Sequence, residues 1–193
     1  AELFICDFGY AVNHPDPEKQ ADTREKYAKM AKIAKVAGLN SLMMLPGDVH
    51  GDGHPWAEDL GQSFEEALQA SSKQHRAMVD IAGEHGLNHN IEACIFSVAH
   101  HPNNALRLLD AVPGLGLTLD YAHQVQLGLG HDDIEPLHAH AKHFQAKQSA
   151  PGEFQAKPDE GVIDFGRVVR KMKDDEFDGF ISVEFVSSPE VLE

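Results

Sequence analysis

The stretch "GLTLDYAHQVQLG", residues 116–128, carries an apolar, strand-like run that ends in Asp120, with His123 three residues further on. Burying a lone carboxylate costs several kcal/mol unless it is paired, protonated or bound to a cation. Asp120 therefore needs a partner, and the partner has to come from elsewhere in the chain.

Five other β-rich runs resemble it: "LFICDFGY" (3–10), "LNSLMMLPG" (39–47), "LNHNIEACIF" (87–96), "LHAHAKHF" (137–144) and "FISVEFV" (180–186). They alternate with helix-like segments, the pattern of a parallel sheet with crossover helices. In 16–40, Tyr27, Met30, Ile33 and Ala34 recur at helical spacing and Gly38 supplies a stop. Ser63 with Glu66 reads as a capping box closed by Gly86, and Asp164 reads as the N-cap of a later helix. A strand-then-helix rhythm of roughly 25 to 45 residues is that of βα units in a barrel. The expected fold is α/β, a (β/α)8 TIM barrel. Residues 1–193 would supply about six of its eight units as one partial domain, opening at what reads as the third strand.

A barrel builds its active site at the C-terminal ends of its strands. Four runs each offer one polar group there: Glu92, Asp120, His140 and Glu184. Three acids and an imidazole converging in an apolar setting call for a divalent metal. Oxygen ligands with one imidazole favour Mn²⁺, with Mg²⁺, Co²⁺ and Zn²⁺ as alternatives. His138, two residues from His140, shares its strand face and rivals it. His123 lies past the strand end, as a donor to a substrate oxygen or a surface histidine. Lys142 and His143 are further candidates for the pocket. Two long loops, 46–61 and 145–161, have the length of functional loops. The first holds His50, His54 and Trp56, of which His54 and Trp56 are candidates to contact and stack on a sugar.

The formal net charge of −15, from 31 acidic against 16 basic residues, disfavours nucleic acid and anionic membranes as partners and leaves a small molecule. No apolar run spans a bilayer. Cys6 and Cys94 sit in apolar runs, as buried thiols rather than a disulfide, which suggests a reducing, cytoplasmic setting.

The segments "IEACIF", "VPGLGLTLDYAH", "HAHAKHFQAKQSAPGEFQAKPDEGVIDFGRVV" and "DEFDGFISVEFV" resemble the xylose isomerase-like barrel proteins, which include sugar-phosphate isomerases, ketose 3-epimerases and inosose dehydratases. The resemblance implies that Glu92, Asp120, His140 and Glu184 are metal ligands and that His123 contacts substrate; Glu92 and Glu184, approaching from opposite sides, are the expected catalytic acid and base, with His123 assisting. His143 stands where many relatives carry an acid. The implied activity is a metal-dependent isomerase or epimerase acting by proton abstraction next to the carbonyl of a ketose or related polyol. A lyase of the inosose-dehydratase type uses the same abstraction to expel a hydroxyl. Phosphodiester cleavage, as in the endonuclease branch, wants a basic groove that the charge disfavours. A noncatalytic subunit would have no need of both Glu92 and Glu184. An incomplete barrel would also expose edges that a homo-oligomer or a partner chain could cover.

Overall fold

The computed structural model describes residues 2–5, 11–49 and 60–184. Within them, strands β1 (Glu2–Ile5), β2 (Ser41–Met44), β3 (Asn88–Glu92), β4 (Leu115–Asp120), β5 (Ala141–Ala146) and β6 (Phe180–Val183) form one parallel sheet in sequential order. Helices α1 (Pro17–Val36), α2 (Phe64–Glu84), α3 (Pro102–Ala111), α4 (Tyr121–Gln126), α5 (His131–Ile134) and α6 (Phe165–Asp174) fall between the strands. This is the expected barrel architecture, represented by six of its strands.

β4 shows why the strands lie where they do. It is buried on both faces, as strands of a parallel sheet covered by helices are. Leu115, Leu117 and Leu119 join a core that contains Leu108 and Leu109 of α3 with Val125, Ile134 and Leu137. Alternation turns Gly116, Thr118 and Asp120 to the opposite face, the barrel interior. A second core packs Tyr27, Ala31 and Ala34 of α1 on Leu42 and Met44 of β2 and on Met78 and Ala82 of α2. Between these helices and β3, the Tyr27 hydroxyl lies 2.8 Å from His89 Nδ1, and His89 Nε2 lies 2.8 Å from His75 Nδ1.

The helix ends follow local chemistry. The Asp16 carboxylate caps α1 by accepting from Glu18 N, the Ser63–Glu66 capping box opens α2, and Asp164 caps α6 by accepting from Arg167 N. Gly38 adopts φ 70°, the left-handed conformation that ends a helix.

Interior polar groups curl the sheet. The Glu2 carboxylate on β1 accepts from Ser41 Oγ (3.2 Å) on β2, Asn90 Nδ2 (2.5 Å) on β3 and Thr118 Oγ1 (2.9 and 3.0 Å) on β4. His143 Nδ1 on β5 lies 3.4 Å from it, and His143 Nε2 lies 2.8 Å from Ser182 Oγ on β6. In a flat sheet, β1 and β4 would stand three spacings apart, about 14 Å. A direct bond between them requires the sheet to close round its interior.

The fifth strand differs from its expected place. The "LHAHAKHF" run begins as a 3-10 helix, Glu135–His140, and β5 starts only at Ala141. Pro136 lies in the first turn of this helix, where its fixed φ suits helical backbone and cannot serve a central strand. The alternating histidines imitated a strand that the proline delays. Cys94 is a free buried thiol, and burial pushes its pKa up; Cys6 lies outside the described residues. No helix among the described residues is long and apolar enough to cross a membrane.

Candidate active site at the strand ends

Glu92 is the last residue of β3, Asp120 the last of β4, and Glu184 follows β6 directly, its N–H donating to Ala146 O at 3.2 Å. All three therefore stand at the C-terminal mouth. Asp120 has two separate tasks. Its Oδ1 accepts from Ala122 N at 2.9 Å, capping the short helix α4, and its Oδ2 is left for the site. That cap begins the turn that brings His123 back over the mouth.

His123 Nε2 lies 3.2 Å from Glu92 Oε1 and 3.7 Å from Asp120 Oδ2. Its Nδ1 accepts from Ile95 N–H at 3.3 Å. A neutral imidazole that accepts through Nδ1 carries its proton on Nε2, so His123 presents a donor to Glu92. Glu92, Asp120 and His123 are buried, with ligand-type atoms within 4.8 Å of one another.

Lys147 reaches the same place from the loop after β5. Its Nζ is 2.9 Å from Asp120 Oδ2 and 3.0 Å from Glu184 Oε2, and it stands 3.8 Å from the centre of the Phe154 ring. The His123 ring packs against the same phenyl group at 4.8 Å. Burial pushes the Asp120 carboxyl above its usual pKa, although His123 and Lys147 draw it down. Burial alone would lower Lys147, but Asp120 and Glu184 outweigh it, and the amine stays protonated above its ordinary range. Asp120 Oδ2 is held by the Lys147 ammonium, whereas Gln145 Oε1 at the same level is buried without a hydrogen-bond partner. Asp120 and Gln145 are register partners on β4 and β5.

Loops after the first three strands are tied together beside this mouth. Asn13 and Asp48 exchange hydrogen bonds of 2.6 and 3.1 Å, and Asp48 forms an antiparallel bridge with Ser97. Gly47 is required at that junction. Its φ is 107°, and a Cβ there would come within 2.9 Å of the Asn13 side chain.

The structure thus gathers Glu92, Asp120, His123 and Glu184. It does not bring His140 to them. His140 ends the 3-10 helix ahead of β5, at the N-terminal side of the sheet, whereas Asp120 pairs with Gln145 five residues later. Five residues of strand span about 16 Å. Lys142 is exposed near the same end, its Cγ 2.8 Å from where a Gly116 Cβ would stand. His143 is buried in the Glu2 layer beneath the mouth. His54 and Trp56 lie outside the described residues. Lys147, Gln145 and Phe154 escaped the sequence reading. Counting by twos from Ala141 puts 143, 145 and 147 on one face, but the start of the strand could not be located without the proline's effect.

The chain belongs to the xylose isomerase-like TIM barrel family, whose model matches residues 3–192. Among solved structures, a D-tagatose 3-epimerase-like protein is similar at 19% identity and TM-score 0.79, over 99% of this chain and 72% of that one. The IOLI protein, solved with a binding zinc atom, is similar at 18% identity and TM-score 0.75, over 98% and 67%. A probable 3-DHS dehydratase of petrobactin synthesis from Bacillus anthracis is similar at 16% identity and TM-score 0.74, over 99% and 72%. At these identities the likeness is one of fold. No curated protein matches the sequence.

Proposed function

We propose that this protein is a divalent-metal-dependent sugar isomerase or epimerase that moves a proton on the carbon beside a carbonyl of a ketose or related polyol. The carrying observation is the meeting of Glu92, Asp120 and Glu184 at one mouth, with the His123 Nε2–H aimed at Glu92. The donor set fits a divalent ion. It is rich in hard oxygen ligands, and Gln145 Oε1 is buried without a hydrogen-bond donor. Glu92, Asp120 and Glu184 would hold the ion, with the Gln145 carbonyl at the place where an imidazole from β5 was expected. When bound, such an ion polarises a substrate carbonyl; Mn²⁺ is the favoured metal.

The chain's own groups account for the proton's path. Glu92 on β3 and Glu184 after β6 flank Asp120 in the sheet order. One carboxylate takes the proton from the carbon between carbonyl and hydroxyl, and the electron pair passes into the carbonyl. The other returns a proton, to the opposite face for an epimer or to the neighbouring carbon for an isomer. His123 orients Glu92 and can donate to a substrate oxygen. The Phe154 ring gives the sugar an apolar wall.

Lys147 supports a second reading, a lyase. An ammonium held beside Glu184 could protonate a departing hydroxyl after the same abstraction. A panel of ketoses and inososes, offered to chelated protein with Mn²⁺ restored, tests both. The leading reading expects isomerised or epimerised ketose, and a turnover about 10²- to 10⁴-fold lower in Glu184→Gln, the usual effect of losing a general base. Loss of water from an inosose favours the lyase. Unchanged turnover in Glu184→Gln removes that residue from the chemistry.

A further inference from the structure

Lys147 is the feature that the proposed chemistry leaves unexplained. Its side chain is 1% exposed, and a buried ammonium is costly unless anionic groups surround it. It has two such groups, and they are two of the acids assigned above to the ion. The ammonium is 2.9 Å from Asp120 Oδ2 and 3.0 Å from Glu184 Oε2. A divalent ion bound to the same oxygens would meet a positive charge within a few ångströms, a strong repulsion wherever the effective dielectric constant falls well below that of water. The two cations cannot share these carboxylates.

The nitrogen donors are also spoken for. His123 accepts through Nδ1 and carries its proton on Nε2, so it offers no lone pair at the mouth. His140 is at the other end of β5, and His143 is engaged with Glu2 and Ser182. What remains is oxygen: the carboxylates of Glu92, Asp120 and Glu184, and the unpartnered Gln145 Oε1.

We propose that Lys147 is a built-in counter-cation that competes with a divalent ion for Asp120 and Glu184 at an all-oxygen site. This rests on the reading that these acids hold an ion. Lys147 neutralises the acids when no ion is bound and swings off when one enters. The Phe154 ring, 3.8 Å from the ammonium, offers a face along which the side chain can move. Binding in the unaltered protein is therefore weak, because part of the ion's attraction goes into displacing the lysine.

The test measures binding by calorimetry with Mn²⁺ alone, alongside melting of the chelated protein, for the unaltered chain, Lys147→Met and Lys147→Gln. Removing the competing charge should tighten Mn²⁺ binding by about tenfold or more. The same change should lower the melting temperature of the chelated protein by several degrees, on the order of the 2–4 °C per kcal/mol of a domain this size, and Mn²⁺ should restore it. A lysine with a merely structural role would lower both affinity and stability. Opposite signs are the signature of competition. Lys147→Gln keeps a polar side chain if the methionine variant fails to fold, and near-ultraviolet dichroism monitors folding in both. Folded variants that bind Mn²⁺ no tighter than the unaltered chain overturn the competition but leave the metal reading intact. If neither the unaltered protein nor the variants bind any divalent ion at millimolar concentration, the metal reading falls as well.

Discussion

Glu2→Ala should be among the most damaging single changes in this fold, although Glu2 lies on a short strand far in sequence from the mouth. Its carboxylate is 5% exposed and accepts from Ser41, Asn90 and Thr118 while facing His143. Truncation leaves those donors in the barrel interior without their acceptor. Breaking a buried charged cluster by deleting one member costs about 3–5 kcal/mol. With a urea slope of about 2 kcal/mol per M for a domain of this size, the midpoint should fall by about 1.5–2.5 M. Glu2→Gln keeps the shape and one acceptor oxygen and should lose about half as much, since hydrogen bonds to a charged group are roughly twice as strong as neutral ones. Urea titration followed by dichroism at neutral pH measures both. A Glu2→Ala loss below about 1 kcal/mol, typical of a surface change, would refute the idea that this layer holds the sheet curled beneath the site.

Acid should destabilise the protein through its buried imidazoles. Burial pushes the His75 pKa down to about 4, opposed in part by the Pro46 carbonyl, while unfolded histidine titrates near its ordinary 6.5. The folded pKa is depressed, so the stabilisation is complete above 6.5 and is lost as pH falls toward 4; unfolding free energies from urea titration at pH 7 and pH 5 should differ by about 2 kcal/mol from His75 alone. His123→Ala should raise KM by about tenfold or more, the loss of roughly 1.4 kcal/mol of binding, with a smaller effect on kcat, as steady-state kinetics on the responsive sugar will show.

The sheet and most helices were legible because their signals are local. Ser63 and Asp164 cap helices by contacts within three residues, and β4 and β6 lie in strand-like runs. Glu92, Asp120 and Glu184 could be read because each stands between apolar neighbours near the end of a strand-like run, where an acid is out of place. Asp120 with His123 could be read as a unit because one helical turn joins them. The fifth strand resisted for a physical reason. Its histidines alternate as a strand's would, yet Pro136 holds the backbone in a 3-10 helix through His140. The frame of β5 thereby shifts, and Gln145 and Lys147, rather than His140 and Lys142, arrive near Asp120. The Glu2 layer was invisible for another reason: Glu2 and Thr118 lie 116 residues apart, His143 farther still, and no local pattern marks them.

On the proposed function, the strand-end acids carry a carbon-bound proton between two positions of a sugar. Solvent labelling tests it most directly. In deuterated water, a ketose turned over by the metal-restored protein should gain one deuterium at the reacting carbon, seen by mass spectrometry and by loss of the corresponding proton resonance. A product formed at the same rate without solvent deuterium would mean that hydrogen moves directly between carbons, and would contradict the account.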